Sequence, residues 1–306
     1  MRSVRVLRVG KTVWLRHKRI MTTAMAKKQT PVRPATPQSQ ASGSSFYAAM
    51  RLLPKAERGA MFAVYDFCRR VDDIADEDGP TPEERRAQLD VWRRGLDALY
   101  EGGSTERTRP LVEPVRRYGL KKEDFLAVVD GMEMDIGEPI VAPDFETLDL
   151  YCDRVASAVG RLSVRIFGMD EEPGVKLAHH LGRALQFTNI LRDIDEDAGT
   201  GRLYLPREAL EAAGVPTGEL EAIVSDPKID RACRWLAAKA LEHYHEAEKI
   251  IGEGPRGRLR APRLMIGVYR HILRRMIRES WRPPRERVSV SKGRLAWVVL
   301  TKGIPR

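Results

Sequence analysis

Leu181-Gly-Arg-Ala-Leu-Gln186-Phe-Thr-Asn189-Ile-Leu-Arg192-Asp193-Ile-Asp-Glu-Asp197 reads as helix carrying two kinds of face. Gln186, Asn189, Asp193 and Asp197 follow spacings of 3, 4 and 4, which places them on one polar stripe. Leu185, Phe187, Ile190 and Leu191 lie off that stripe and must pack elsewhere. A second stretch, Tyr65-Asp-Phe-Cys-Arg69-Arg-Val-Asp72-Asp73-Ile-Ala-Asp76-Glu77, repeats the device 121 positions upstream of Asp193. There Tyr65, Arg69, Asp72 and Asp76 follow spacings of 4, 3 and 4. Helical residues four apart stack about 6 Å along the axis. Like charges so placed repel by a few tenths of a kcal/mol unless a cation sits between them.

Carboxylate oxygens suit hard cations such as Mg²⁺, which is held by a few carboxylates and shared with phosphate oxygens. Two such pairs facing one cavity would form a diphosphate clamp. An acidic face turned to solvent is the plainer reading of either stretch by itself. The amides of Gln186 and Asn189 in line with the acids, and arginines beside both pairs, favour the cavity.

With 306 residues and 42% hydrophobic content, the chain can bury a large core and form a single helical domain. Cys68, Cys152 and Cys233 show no C-x-x-C spacing, which argues against disulfides and structural zinc and fits a reducing cytosol. No run of eighteen apolar residues occurs, so no transmembrane helix is expected. The net charge of +10 is segregated. Residues 1–40 carry ten basic and no acidic residues, 41–250 carry 28 basic and 40 acidic, and 251–306 carry 15 and 3. An acidic body without interleaved stacking aromatics does not read as a nucleic-acid binder. The basic C-terminal face suits either peripheral contact with an anionic inner-membrane surface or binding of substrate phosphates, and both readings stay open.

Residues 1–44 are basic, then rich in Pro, Ser, Gln and Thr, and are expected to be a disordered extension outside the fold. Their composition resembles a transit peptide, but a start placed too early, with Met21 or Met25 as the true one, explains it more simply. A single catalytic helical domain is expected over 45–300, with 301–306 as a tail. The periodicity predicts helices over 60–77, 88–100, 107–118, 123–136, 145–167, 174–195, 206–213, 231–252 and 262–279. Thr81 caps a further helical start with Pro82 at the first position. Breaks fall at Gly102-Gly103, Gly168 and Gly199-Thr-Gly201. Arg287-Val-Ser-Val-Ser is the one plausible strand, and a weak one. The fold class is therefore all-α, a bundle of roughly ten helices.

Ala198-Gly-Thr-Gly-Arg202-Leu-Tyr204-Leu-Pro206 suits a mobile lid placing Arg202 over a phosphate, or a plain interhelix loop. The small residues Ala156, Ala158 and Gly160 suit close helix packing or a narrow hydrocarbon channel. Among the few histidines, His179-His180 and His243/His245 stand out. Glu242-His-Tyr-His245 is a single E-x-x-H, where a di-iron bundle needs two.

These stretches resemble the squalene/phytoene synthases. Ser44-Ser-Phe-Tyr47 with Arg51-Leu-Leu-Pro54 resembles the family's opening segment. Tyr65 to Asp76 resembles its first aspartate-rich motif, and Tyr151-Cys-x-x-Val-Ala-Ser-Ala-Val-Gly160 one signature. Leu181 to Asp197, continuing through Arg202-x-Tyr204-x-Pro206, resembles the second, while Tyr269 and Glu286-Arg287-Val resemble the closing segment. The resemblance implies an isoprenoid-synthase helical bundle with a central cavity. In it Asp72, Asp76, Asn189, Asp193 and Asp197 would hold Mg²⁺, with Mn²⁺ as a substitute. Ser45, Arg69, Gln186, Arg192, Arg202, Tyr269 and Arg287 would bind prenyl diphosphates, and Tyr65 or pyrophosphate would take the final proton. Asp73 and Asp195 fall off the stripes and would bind nothing directly. Within the family, Val71-Asp-Asp-Ile-Ala-Asp-Glu77 and Asp130-Gly-Met-Glu-Met-Asp135 look most like bacterial hopanoid-pathway presqualene diphosphate synthases. Those join two farnesyl diphosphates without NADPH and pass the product to squalene-forming enzymes. A phytoene-type condensation of two geranylgeranyl diphosphates is the alternative, and a membrane-binding protein without catalysis is the alternative of another class. Phe62 and Met50 are expected to cap the floor of the channel.

Overall fold

The computed structural model describes residues 50–51, 53–77, 79–216 and 218–289. Ser45, the 1–44 extension, the 301–306 tail and the end of the 287–291 stretch lie outside the described residues.

The first helix, α1 (Lys55–Asp76), buries Met61, Val64, Phe67, Val71 and Ile74 along one stripe and leaves Asp72 and Asp76 on another. Next comes α2 (Pro82–Tyr100), whose start is fixed by a reciprocal cap. The Thr81 backbone donates to Glu84 Oε2 at 2.7 Å, and Thr81 Oγ1 accepts from the Glu84 backbone at 3.2 Å. The rest of the predicted 107–118 helix becomes a 3₁₀ turn at Arg109–Leu111 and α3 (Val112–Tyr118), because Pro110 and Pro114 remove backbone donors. Phe67 packs edge-on against Trp92 of α2 and against Phe125 of α4 (Lys122–Met134), with ring centroids 5.3 and 5.1 Å away. Such pairs add about 0.5–1.5 kcal/mol each beyond area burial.

The predicted 145–167 helix is continuous in direction but not in winding. Helix α5 (Phe145–Cys152) passes through a π turn at Asp153–Ser157 into α6 (Ala158–Ile166). That turn is wedged between two glycines. A Cβ at Gly131 of α4 would stand 2.7 Å from Val155, and one at Gly182 would stand 2.6 Å from Ser157 Oγ.

Gly182 belongs to α7 (Glu171–Arg192), the central helix, which is followed by α8 (Ile194–Gly199), α9 (Arg207–Ala213) and α10 (Leu220–Ser225). Helix α10 lies in sequence left without an element by periodicity. The long α11 (Ile229–Gly252) packs along α7, and α12 (Arg260–Glu279) closes the bundle. Beyond α12 the chain is held by Asp230. Its Oδ1 accepts from the Trp281 backbone and from Ser280 Oγ at 2.8 Å each, while the Trp281 indole donates to Leu191 O at 2.8 Å.

Among the described residues there is no strand. Residues 287–289 are irregular, and the one β-bridge joins Val141 to Leu203. The fold is all-α, and its core runs between α7 and the helices around it. No described helix is long and apolar enough to cross a membrane.

Candidate active site

The second aspartate pair does not sit on one unbroken helix. Helix α7 ends at Arg192, and Asp193 turns the chain (φ −106°, ψ 14°) before α8 begins. This corrects the predicted 174–195 helix. The arginines explain the break. Arg192 grips Asp193 with two bonds, Nε to Oδ1 at 2.8 Å and Nη2 to Oδ2 at 2.5 Å. Arg287 adds a third, Nε to Oδ1 at 2.8 Å. One i,i+4 bond, Asp197 N to Asp193 O at 2.8 Å, still bridges the break, so the two carboxylates stay on the same side.

That side faces the first pair. A polar pocket of about 140 Å³ is lined by Asp72 and Asp76 of α1, Gln186 and Asn189 of α7, and Asp193, Asp197 and Arg202. Arg202 Nη1 donates to Asp76 Oδ1 at 2.9 Å, which joins the loop after the second motif to the end of the first. Arg192 and Arg287 reach the pocket through Asp193. Arg69 lies on its outer side, 3.4 Å from Asp72 Oδ2 and 3.0 Å from Asp73 Oδ1. Asp195, placed off the stripe by spacing, faces away and takes Arg285 Nε on Oδ2 at 2.9 Å.

Three polar residues of the pocket, Asp135, Tyr151 and Tyr204, lie on neither stripe read from the sequence, and Ala75 and Ile190 complete its lining. Asp135 is buried and accepts from Tyr151 Oη at 2.9 Å and Tyr204 Oη at 2.6 Å, and the two rings stack 5.0 Å apart. All three lie within stretches already used for the family resemblance. Their convergence is tertiary, so no spacing rule could show it.

The pocket is short of positive charge. Burial and the neighbouring Asp76 push the Asp72 carboxyl up to about 6. Burial and Asp193 push Asp197 up to about 7. Burial also raises Asp135, against the bonds from its two tyrosines. Asp193 goes the other way, because the bonds from Arg192 and Arg287 outweigh its burial. The Asn189 side-chain oxygen is buried with no hydrogen-bond partner, although its nitrogen lies 3.4 Å from Gln186 Oε1. An unpaired amide oxygen beside carboxylates that resist ionisation is a donor set suited to a hard divalent cation. Asp72, Asp76, Asn189, Asp193 and Asp197 therefore fit Mg²⁺ or Mn²⁺, and no nitrogen or sulfur donor stands among them.

The pocket opens into an apolar channel of about 420 Å³, with Asp72, Gln186 and Asn189 lining both. Tyr65 and Tyr269 stand along the channel near its polar end. From Asp72 to Met61 on α1, and from Asn189 to Leu177 on α7, the lining descends three turns, about 16–18 Å. Ala156, Val159, Gly160, Ala178 and Gly182 keep it narrow, so Ala156 and Gly160 of the small-residue segment lie on the channel wall, while Ala158 is fully buried and Gly160 also packs closely on α7, where an added Cβ would stand 3.0 Å from Ala178. Met50, Leu53, Phe167 and Leu177 line its apolar part. Phe62 is half-buried against the core and is not among the lining residues, so Met50 stands on the channel wall and Phe62 does not.

Comparison with known proteins gives a consistent result. A model of the family described as squalene/phytoene synthase matches residues 39–294. The chain is 54% identical to a presqualene diphosphate synthase of Zymomonas mobilis over 286 residues, covering 92% of this chain and 98% of that one. It is 35% identical to a phytoene synthase of Mycobacterium tuberculosis, covering 77% and 78% of the two chains. Among solved structures it is similar to a squalene synthase from Alicyclobacillus acidocaldarius, with a TM-score of 0.68 and 29% identity over 79% of this chain and 92% of that one.

Proposed function

The chain belongs to the squalene/phytoene synthase family, and we propose that it condenses two farnesyl diphosphates head to head into presqualene diphosphate, releasing pyrophosphate. The observation that carries this reading is the continuity of the two cavities. A diphosphate placed among Asp72, Asn189 and Arg202 directs its hydrocarbon tail into the channel between α1, α6 and α7. The higher identity to the presqualene diphosphate synthase than to the phytoene synthase supports C15 over C20 substrates.

Arg202, and Arg192 and Arg287 through Asp193, surround the place where pyrophosphate charge develops. Held by Asp72, Asp76, Asn189, Asp193 and Asp197, Mg²⁺ would neutralise diphosphate charge and so make pyrophosphate a better leaving group. The allylic C–O bond of the first substrate breaks, and its electron pair leaves with pyrophosphate. The apolar channel keeps water from the resulting allylic cation. The double bond of the second substrate supplies the electron pair for the new C–C bond, and loss of a proton closes the cyclopropane. Burial raises the Tyr65 phenol, which stands protonated beside Asp72, and the departing pyrophosphate is the acceptor proposed for that proton. No electron enters or leaves, and NADPH is not required. A separate enzyme must then take the product onward to squalene.

The test is incubation of the purified chain with farnesyl diphosphate and Mg²⁺, without NADPH, with products identified by mass spectrometry. A C30 cyclopropyl diphosphate is expected. Turnover of geranylgeranyl diphosphate alone would make the chain a phytoene-type enzyme, and release of free farnesol alone would make it a phosphohydrolase.

A further inference from the structure

Outside this cavity the described residues hold one group of side chains with metal-ligand chemistry. His179 and His180 on α7 and His243 on α11 bring ring nitrogens to within 4.8 Å of one another. The sequence pairs Glu242 with His245 as E-x-x-H, but the fold selects His243 and turns it toward the α7 dipeptide. His180 Nδ1 and His243 Nδ1 lie 3.0 Å apart, and the rings of His179 and His180 meet edge-on at 4.8 Å. We propose that His179, His180 and His243 form a second metal site, taking a borderline transition cation such as Zn²⁺, that staples α7 to α11.

The geometry is close to what such a cation needs. With Zn–N bonds of about 2.0–2.1 Å, two nitrogens of a tetrahedral site stand about 3.3 Å apart. The His180–His243 pair, hydrogen-bonded through its Nδ1 atoms at 3.0 Å, would exchange that shared proton for the cation and open by about 0.3 Å. His179 is within reach by side-chain rotation, and all three residues are partly exposed, so the cation has a path in and water can fill the fourth position. Imidazole nitrogen selects Zn²⁺, Cu²⁺ or Ni²⁺ over Mg²⁺, so this site does not compete with the carboxylate pocket.

The surroundings admit the charge. Arg183, one turn further along α7, is the nearest fixed cation. It is neutralised by Asp149, bound at 2.7 and 2.8 Å, and by Asp153 at 3.1 Å, while Glu246 of α11 faces His180. Burial, with Arg183 beside all three, holds the imidazoles below their ordinary range, His243 at about 4, against the pull of Asp149 and Glu246, and the neutral imidazole is the form that binds metal.

The staple crosses the seam that supports the catalytic wall. Next to His243, Tyr244 Oη lies 2.9 Å from Thr188 Oγ1, directly beside Asn189. A cation bridging the two helices would stiffen the segment of α7 that leads to Asn189 and Asp193.

The experiment is a titration of the metal-stripped full chain with Zn²⁺ in excess Mg²⁺, by competition against a chromophoric chelator, with Co²⁺ as a spectroscopic substitute. One equivalent should bind, Co²⁺ should give the visible absorption of a tetrahedral nitrogen site, and Zn²⁺ should raise the Tm. His179→Ala and His180→Ala should each weaken binding by about tenfold or more. His243→Asn, checked for helix content by circular dichroism, should abolish it. Absence of stoichiometric binding would overturn the proposal, as would binding that survives both His180→Ala and His243→Asn.

Discussion

Arg202 donates to Asp76 across 126 residues of chain, at 2.9 Å. The glycine-flanked loop after the second motif is thus held against the first, and Arg202, whose backbone also donates to Asp197 O at 2.9 Å, lines the pocket between the two pairs. Arg202→Gln keeps a donor but removes the charge. It should lower kcat by about 10²–10³-fold with little change in Tm, measured as pyrophosphate release. A loss confined to KM would show that Arg202 only binds substrate.

Asp72 and Asp73 are neighbours with different surroundings. Asp72 lines the pocket, whereas Asp73 is exposed and paired with Arg69. Asp72→Asn should reduce turnover by about 10³-fold or more, and Asp73→Asn by less than about tenfold. Steady-state assays of the two variants side by side decide it.

The last described segment depends on Asp230, which anchors Ser280 and Trp281 upstream of Arg285 and Arg287. Burial would raise this carboxyl, but the bonds from Arg234, Trp281 and Ser280 outweigh it and hold it below the ordinary range. A depressed folded-state value contributes stability that is present above the unfolded value of about 3.9 and is lost as pH falls through the folded one. Asp230→Asn should therefore be less stable than wild type by about 1–3 kcal/mol at neutral pH, and the two should converge in strong acid. Urea unfolding at a series of pH values measures this, and a constant difference would refute it.

Phe167 lines the apolar part of the channel and Phe62 does not. Phe167→Ala should raise the ratio of geranylgeranyl to farnesyl turnover by about tenfold, at a stability cost of about 3 kcal/mol. Phe62→Ala should leave the ratio unchanged. Product analysis from mixed substrates reads both.

Gly182 lets α7 approach the π turn, and an added Cβ would fall 2.7 Å from the Ser157 backbone nitrogen. Backbone cannot yield as a flexible side chain does. Gly182→Ala should cost about 1–3 kcal/mol and lower the Tm by several degrees.

The helical class and both aspartate pairs were legible because periodicity and i,i+4 spacing are local. The break at Asp193 was not, since the same spacing describes a continuous helix. It is made by Arg192 and by Arg287, whose contact comes from 94 positions away. The π turn was hidden for a related reason: the glycines that leave room for it, Gly131 of α4 and Gly182 of α7, lie about 25 residues away on either side. Asp135 carried no signal of its own, because its tyrosine partners lie 16 and 69 residues away. Phe62 was misplaced by counting one turn back from Tyr65, which ignores which side of α1 the channel occupies.

On the proposed function, both aspartate pairs hold divalent cations and diphosphates within one cavity. The most direct measurement is a crystal structure of the chain with a non-hydrolysable farnesyl thiodiphosphate and Mn²⁺, with the metal located by anomalous scattering. Anomalous peaks are expected between Asp72/Asp76 and Asn189/Asp193/Asp197, with the farnesyl tail running down toward Phe167. Mn²⁺ found only elsewhere, or a tail lying outside the channel, would contradict the proposed function.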